Sequence, residues 1–149
     1  MGVDLGGVLL AKLPSGQLPT VQTPNDIGIM MGYAPGAVDW FAECVNNYGA
    51  DNVFVLSFVH SKRLRALFLD FLFAQDGLLH AAGIPRANLV WTESRSAKCR
   101  PFVQNDLTHF IDDQVEALLH PECLLGAATR SKASTGVVPC AHGVGPWEV

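Results

Sequence analysis

The sequence predicts an α/β fold built on a doubly wound parallel sheet, and two observations indicate it. Short apolar segments that could form buried strands alternate with segments whose apolar residues recur at helical spacing. The 149 residues are also 49% hydrophobic and only 16% charged, as is typical of a parallel sheet covered on both faces. We therefore expect one core domain over residues 1–130 and a C-terminal tail over residues 131–149.

Apolar segments at five places in the chain are the strand candidates. The first is Val3–Leu10, and the others are residues 52–57, 88–92, 107–111 and 123–128. In a parallel sheet the carboxyl ends of the strands meet at one edge, where such folds bind their ligands. Asp4, Ser57 and Asp112 all fall at that predicted edge.

Helices are predicted between these strands. Apolar residues recur at helical spacing over residues 36–48, which Gly49 would end, and over residues 61–75, for which Ser61 would be the N-cap. Two shorter helices are expected, one with Pro101 in its first turn and one over residues 114–120. By contrast, residues 11–35 contain four prolines and little periodicity, which predicts an irregular loop or flap excursion.

Composition argues against two kinds of partner and suggests a compartment. The net charge of −4 gives no basic face for nucleic acid, and no apolar run reaches the roughly 18 residues of a membrane span. The four cysteines form no C-x-x-C pair and no leader segment is evident, which favours the cytoplasm. The helix over residues 61–75 is apolar on more than one side, which indicates deep burial or a homodimer interface.

Four short motifs in a fixed order carry a family resemblance. They are Asp4-Leu5-Gly6-Gly7-Val8, Val55-Leu56-Ser57, Lys98 and Phe110-Ile111-Asp112-Asp113. In this order they resemble the motifs of the haloacid dehalogenase-like (HAD) superfamily. The run Thr108-His109-Phe110-Ile111-Asp112-Asp113 also resembles an uncharacterised branch of HAD-like proteins.

The resemblance implies a role for each motif in phosphate chemistry. Asp4 would be the nucleophile that takes up a phosphoryl group as an aspartyl phosphate. Ser57 would donate a hydrogen bond to a phosphate oxygen, and Lys98 would stabilise the charge on the nucleophile and the transferring group. A magnesium ion would be held by oxygen ligands from Asp4, the Gly6 carbonyl, Asp112 and Asp113. The ligand would be a phosphorylated small molecule or protein.

Gly6 is the departure from the family pattern. HAD phosphatases usually carry a second aspartate there, which protonates the leaving group, and loss of a general acid typically costs about two to four orders of magnitude in rate. The leading hypothesis is therefore a magnesium-dependent phosphohydrolase that could be weak. The alternative is a catalytically attenuated HAD module that binds magnesium and a phosphorylated ligand or protein partner. A haloacid dehalogenase is the third hypothesis, but those enzymes need a cap domain, and the spacers in this chain are too short for a large one.

Purely structural roles remain open for most of these residues. Burying a lone carboxylate in an apolar strand costs free energy, so the position of Asp4 indicates a functional role. Asp112 or Asp113 could simply cap the following helix, Ser57 could be an ordinary strand-end hydroxyl, and Lys98 could be a solvated surface lysine. Only three residues precede Asp4. Three residues are few for a central strand that ends there, which suggests that the natural chain begins upstream of Met1.

Overall fold

A computed structural model describes residues 1–13, 20–119, 121 and 136–139 of the chain. Its centre is a five-stranded sheet in which every pair of neighbouring strands is parallel, in the order β3-β2-β1-β4-β5. The strands are β1 (Gly2–Val3), β2 (Phe54–Phe58), β3 (Leu89–Thr92), β4 (His109–Asp112) and β5 (Gly136–Pro139). The α-helices are α1 (Pro24–Met30), α2 (Ala37–Tyr48), α3 (Lys62–Leu72), α4 (Leu78–Ala81), α5 (Cys99–Gln104) and α6 (Val115–Leu118). The parallel α/β prediction is confirmed.

The two long helices begin where the sequence predicts, and α2 also ends there, whereas α3 ends at Leu72, three residues before its predicted end. Helix α2 stops at Gly49, whose φ of 81° is a conformation that favours glycine. Helix α3 follows Ser61, whose hydroxyl accepts a hydrogen bond from the Leu64 amide. Strands β2, β3 and β4 lie within two residues of their predicted bounds.

The C-terminal part of the sheet differs from the expectation. The strand predicted at residues 123–128 lies outside the described residues. Strand β5 is instead formed by Gly136–Pro139, within the segment predicted as a tail, and it pairs with β4 from His109 to Asp112.

The prediction that residues 11–35 are irregular was wrong for Pro24–Met30, which form α1. Thr23 and Asp26 exchange side-chain to backbone hydrogen bonds at the start of this helix, and Pro24 occupies its first turn. Ile27 is the buried residue of α1. A seven-residue helix that buries one side chain shows no periodicity, so only its capping residues could have revealed it.

Two apolar clusters pack against the sheet. Val55 of β2 belongs to a cluster that includes Phe41 and Phe68 from α2 and α3. The next residue, Leu56, belongs to a second cluster, which contains Phe102 of α5, Phe110 of β4 and Leu118 of α6. Because successive side chains of a strand point to opposite faces, the two clusters lie on opposite sides of β2.

The apolar character of α3 is accounted for within the chain. Phe68 and Leu72 are buried, and Phe71 stacks on Tyr33 with ring centroids 5.6 Å apart. Helix α3 also packs against α1. The homodimer suggested for residues 61–75 stays an untested prediction. No helix in the described part of the chain is long and apolar enough to cross a membrane.

The strand order positions the site. From β1 the chain moves to β2 and β3 on one side, then returns to place β4 and β5 on the other. The order therefore reverses between β1 and β4, and in open α/β sheets the carboxyl ends of the strands at such a reversal frame a binding crevice. Asp4 follows β1, and Asp112 is the last residue of β4.

Candidate active site

Three aspartates meet where the strand order reverses. The Asp4 amide donates a 2.8 Å hydrogen bond to the Ile111 carbonyl, which ties the end of β1 to β4. One carboxylate oxygen from each of Asp4, Asp112 and Asp113 lies within 4.8 Å of the others. Magnesium takes oxygen ligands at about 2.1 Å, so three carboxylate oxygens this close together are candidate ligands of one ion.

Lys98 joins two of these aspartates. It lies in the 3₁₀ turn Ser96–Lys98 just before α5 and is only 1% exposed. Its ammonium lies 2.8 Å from Asp4 Oδ1 and 2.6 Å from Asp112 Oδ2. One buried cation therefore faces two buried carboxylates, so the site carries an excess negative charge when both are ionised.

Burial dominates the electrostatics of this pair of carboxylates. It raises the pKa of Asp4 to about 7, while Lys98 opposes the rise and Asp112 adds to it. Burial also raises the pKa of Asp112, again against the effect of Lys98. A divalent cation would favour the ionised forms, so cation binding and proton release are expected to be coupled here.

Most of the carboxylate oxygens have hydrogen-bond or ion-pair partners, but two have none among the described residues. Asp4 Oδ1 accepts from the Leu5 amide and Lys98, and both oxygens of Asp112 are engaged, by Lys98 and by the Gln114 amide. Asp113 Oδ2 accepts from the Gln114 side-chain amide at 3.0 Å and pairs with Lys12. In the described part of the chain Asp4 Oδ2 accepts no hydrogen bond, and Asp113 Oδ1 is buried with no partner. An orphaned buried carboxylate oxygen fits a cation site, because an unsatisfied acceptor is costly.

The loop after β1 brings backbone close to these groups. It closes through hydrogen bonds from the Leu9 and Leu10 amides to the Leu5 carbonyl, and from the Gly7 amide to the Leu10 carbonyl. Among the described residues no hydrogen bond ends on the Gly6 carbonyl, which leaves it available as the predicted metal ligand. A Cβ built on Gly6 meets no atom within 4 Å, so the missing aspartate leaves open space.

Ser57 lies at the same edge of the sheet but outside this network. Val3 pairs with Val55, so the register places Ser57 two residues further along the neighbouring strand. Its carbonyl accepts a 3.3 Å hydrogen bond from the Thr92 hydroxyl. Within the described residues its hydroxyl makes no hydrogen bond to Asp4 or Lys98. The structure thus brings together Asp4, Lys98, Asp112 and Asp113, and leaves Ser57 beside them.

Sequence reasoning missed Lys12 and Gln114, which both contact Asp113. Gln114 directly follows the acidic pair, so its position was a signal that could have been read. Lys12 lies eight residues after Asp4 in a segment without periodicity, and no spacing rule would have selected it.

No family model, no curated protein and no solved structure matches the chain. The family resemblance therefore stays a prediction that depends on the order of the motifs. Of the residues that carry it, the fold brings Asp4, Lys98, Asp112 and Asp113 together and leaves Ser57 beside them.

Proposed function

We propose that the protein is a HAD-like, magnesium-dependent phosphohydrolase that acts through Asp4. The observation that carries the proposal is the meeting of Asp4, Lys98, Asp112 and Asp113 at the reversal of strand order. Three carboxylates and one buried lysine at a crevice suit a ligand made of a divalent cation and a phosphate group.

The architecture supports the finer features of this proposal. Apolar clusters on opposite sides of β2 are what a doubly wound sheet requires. Residues 4–36 between β1 and α2 are too few for a large helical cap domain, so we infer an open site. An open site suits a phosphorylated protein as well as a phosphorylated small molecule, and we propose that the protein acts on one of these in the cytoplasm.

Each residue of the site has a separate role in the proposed reaction. Asp4, Asp112, Asp113 and the Gly6 carbonyl would hold the magnesium ion, which when bound neutralises charge on the phosphate. Asp4 Oδ2, which accepts no hydrogen bond from the described residues, attacks phosphorus while the bond from phosphorus to the leaving oxygen breaks. Lys98 holds Oδ1 of the same carboxylate. Water then attacks the phosphorus of the aspartyl phosphate, releasing inorganic phosphate and restoring the carboxylate.

Proton supply to the leaving oxygen is the weak step. In the described part of the chain no atom lies within 4 Å of a Cβ built on Gly6, so no side chain occupies the position of the usual general acid and water would protonate the leaving oxygen. This observation favours the second candidate, a module that binds magnesium and a phosphorylated ligand with little turnover. The two candidates share a site and differ only in rate.

Hydrolysis of 4-nitrophenyl phosphate in magnesium by wild type and Asp4→Asn tests the proposal. We expect turnover by wild type and a loss of at least about a thousandfold in the variant, because amide nitrogen and oxygen cannot replace a nucleophilic carboxylate. Asp70→Asn is the matched control, since Asp70 is an exposed residue of α3 and the chemical change is the same. Equal activity in Asp4→Asn and wild type would exclude Asp4 as the nucleophile.

A further inference from the structure

Lys12 and Gln114 hold the same oxygen of Asp113. The Lys12 ammonium pairs with Asp113 Oδ2, and the Gln114 side-chain amide donates to that oxygen at 3.0 Å. The other oxygen, Oδ1, is buried and has no partner among the described residues. The side chain of Asp113 is 12% exposed and that of Lys12 is 55% exposed, so the pair lies between the buried site and the solvent.

Gly7 makes room for this arrangement. Its φ is +83°, and a Cβ built on it would lie 2.6 Å from Asp113 Oδ2 and 2.7 Å from Lys12 Cε. A side chain at position 7 would need the ends of Asp113 and Lys12 to shift, in addition to the strain of the positive φ. Gly7 therefore lets the backbone of the loop after β1 lie close to the Lys12–Asp113 contact.

We propose that Lys12 is a positioning residue for the cation site, and that it acts through Asp113 together with Gln114. Two donors on Oδ2 fix the rotation of the carboxylate, so that Oδ1 stays free to serve as a metal ligand. Partners of this kind orient ligating carboxylates in many metal sites. The inference depends on the cation site of the proposed function, but not on catalysis.

The opposite role for Lys12 would be competition with the metal for Asp113. Removing a competing ammonium would tighten metal binding, and removing any nearby positive charge would act in the same direction. Removing a positioning residue weakens metal binding, although the charge change alone would strengthen it. The sign of the change therefore separates the two roles.

The test is a titration of the metal-free protein with manganese(II), followed by electron paramagnetic resonance, because manganese(II) accepts the oxygen ligands that suit magnesium. We expect Lys12→Met and Gln114→Leu each to weaken binding by about tenfold, the lower end for such partners since Lys12 is half exposed. Lys12→Arg, which keeps the charge and the donors, should restore affinity to within about threefold of wild type. The matched control is Lys62→Met, which removes an exposed lysine of α3 and should leave binding unchanged.

Melting temperatures of the metal-free variants separate positioning from folding, and we expect them to lie within about 4 °C of wild type. Binding as tight as wild type or tighter in Lys12→Met overturns the inference, as does a loss of affinity that Lys12→Arg fails to restore. A wild type that binds no manganese also overturns it. Metal binding that responds as expected, combined with no phosphate ester turnover, would support the role of Lys12 while removing the phosphohydrolase proposal.

Discussion

The candidate site has two halves that pair aspartate with lysine in different surroundings. The inner half consists of Asp4, Lys98 and Asp112, and the outer half consists of Asp113, Lys12 and Gln114. Lys98 is 1% exposed and bridges two buried carboxylates. Lys12 is 55% exposed and contacts one carboxylate near the surface. Two aspartates that are adjacent in sequence thus belong to different electrostatic environments.

The difference teaches that loss of one partner from an aspartate–lysine contact can destabilise the fold greatly or only slightly, depending on how deeply the contact is buried. A buried ion pair forms at a large desolvation cost, and removing one partner leaves a charge that nothing compensates. A solvated ion pair contributes little, because water and salt screen it. We therefore expect the inner half to govern folding and chemistry, and the outer half to adjust ligand affinity.

The largest expected effect is on folding stability. Lys98→Met should lower the free energy of unfolding at pH 8 by about 3–5 kcal/mol, because it leaves Asp4 and Asp112 buried without their cation. Lys12→Met should lower it by less than about 1 kcal/mol. Urea denaturation followed by circular dichroism measures both changes.

The same experiment at pH 5 tests whether the loss of stability in Lys98→Met comes from the uncompensated charge of its two carboxylate partners. Protonation neutralises carboxylates that have lost their cation, so the deficit of Lys98→Met should shrink as the pH falls. A deficit under about 1 kcal/mol at pH 8, or equal deficits in the two lysine variants, would contradict the division into an inner and an outer half.

The next effect is a pH dependence that originates in the inner half. The folded-state pKa of Asp4 is raised from 3.8 to about 7, so between about pH 4 and pH 7 the folded chain keeps a proton that the unfolded chain has released. Stability due to this group therefore falls as the pH rises through that window and levels off above it. The fall amounts to at most about 4 kcal/mol for a shift of about three pKa units.

Asp4→Asn isolates this contribution, because asparagine resembles the protonated acid and does not titrate. In chelator and at constant ionic strength, the stability of the variant relative to wild type should rise between pH 5 and pH 8. A difference that stays constant over this range would show that Asp4 is not the buried titrating group. Asp70→Asn should show that constant difference, since Asp70 is exposed.

Magnesium should raise the melting temperature by binding to ligands from both halves of the site, and we expect the inner half to contribute more of the binding free energy. At a magnesium concentration about a hundredfold above Kd, mass action stabilises the folded chain by about 2–3 kcal/mol, or roughly 4–12 °C at this size. Asp112→Asn should abolish most of that rise and Asp113→Asn a part of it. Differential scanning fluorimetry with calcium-free magnesium provides the measurement, and identical curves with and without the ion would count against the cation site.

The inner half was predictable from the sequence for a physical reason. Strands β1 and β4 are apolar segments that end in acidic residues, and parallel pairing brings such ends to one edge. The lone carboxylate of Asp4 in an apolar segment was itself a signal, because its burial needs a partner. Lys98 was selected only by motif order, and its contacts with Asp4 and Asp112 agree with that position.

The outer half could not be predicted, because it depends on loop conformation. The positive φ of Gly7 and the course of the chain to Lys12 decide which side chain reaches Asp113, and neither follows a period. Helix α1 was missed for a related reason, since its evidence was the capping pair of Thr23 and Asp26 rather than an apolar stripe. Strand β5 lies in a segment whose composition indicated a tail.

The smallest expected effect, and the one that separates a weak enzyme from a binding module, concerns Gly6 on the loop that joins the two halves. A Cβ built at this position meets no atom within 4 Å, so Gly6→Asp should fold without a steric clash at Cβ. An aspartate there could protonate a leaving oxygen, which matters for alkyl phosphates and hardly at all for aryl phosphates, whose leaving groups depart unprotonated. We expect about a tenfold gain in kcat/KM for an alkyl phosphate, below the usual range of general acid catalysis because the placement has not been optimised, and less than about a twofold change for 4-nitrophenyl phosphate. Gly6→Asn introduces a side chain of nearly the same size without the acid, and it should not raise kcat/KM for the alkyl phosphate.

Two outcomes would point elsewhere. A binding module would turn over neither ester in any of the three proteins. An equal gain on both esters would mean that the aspartate acts on the metal or on binding and not on the leaving group.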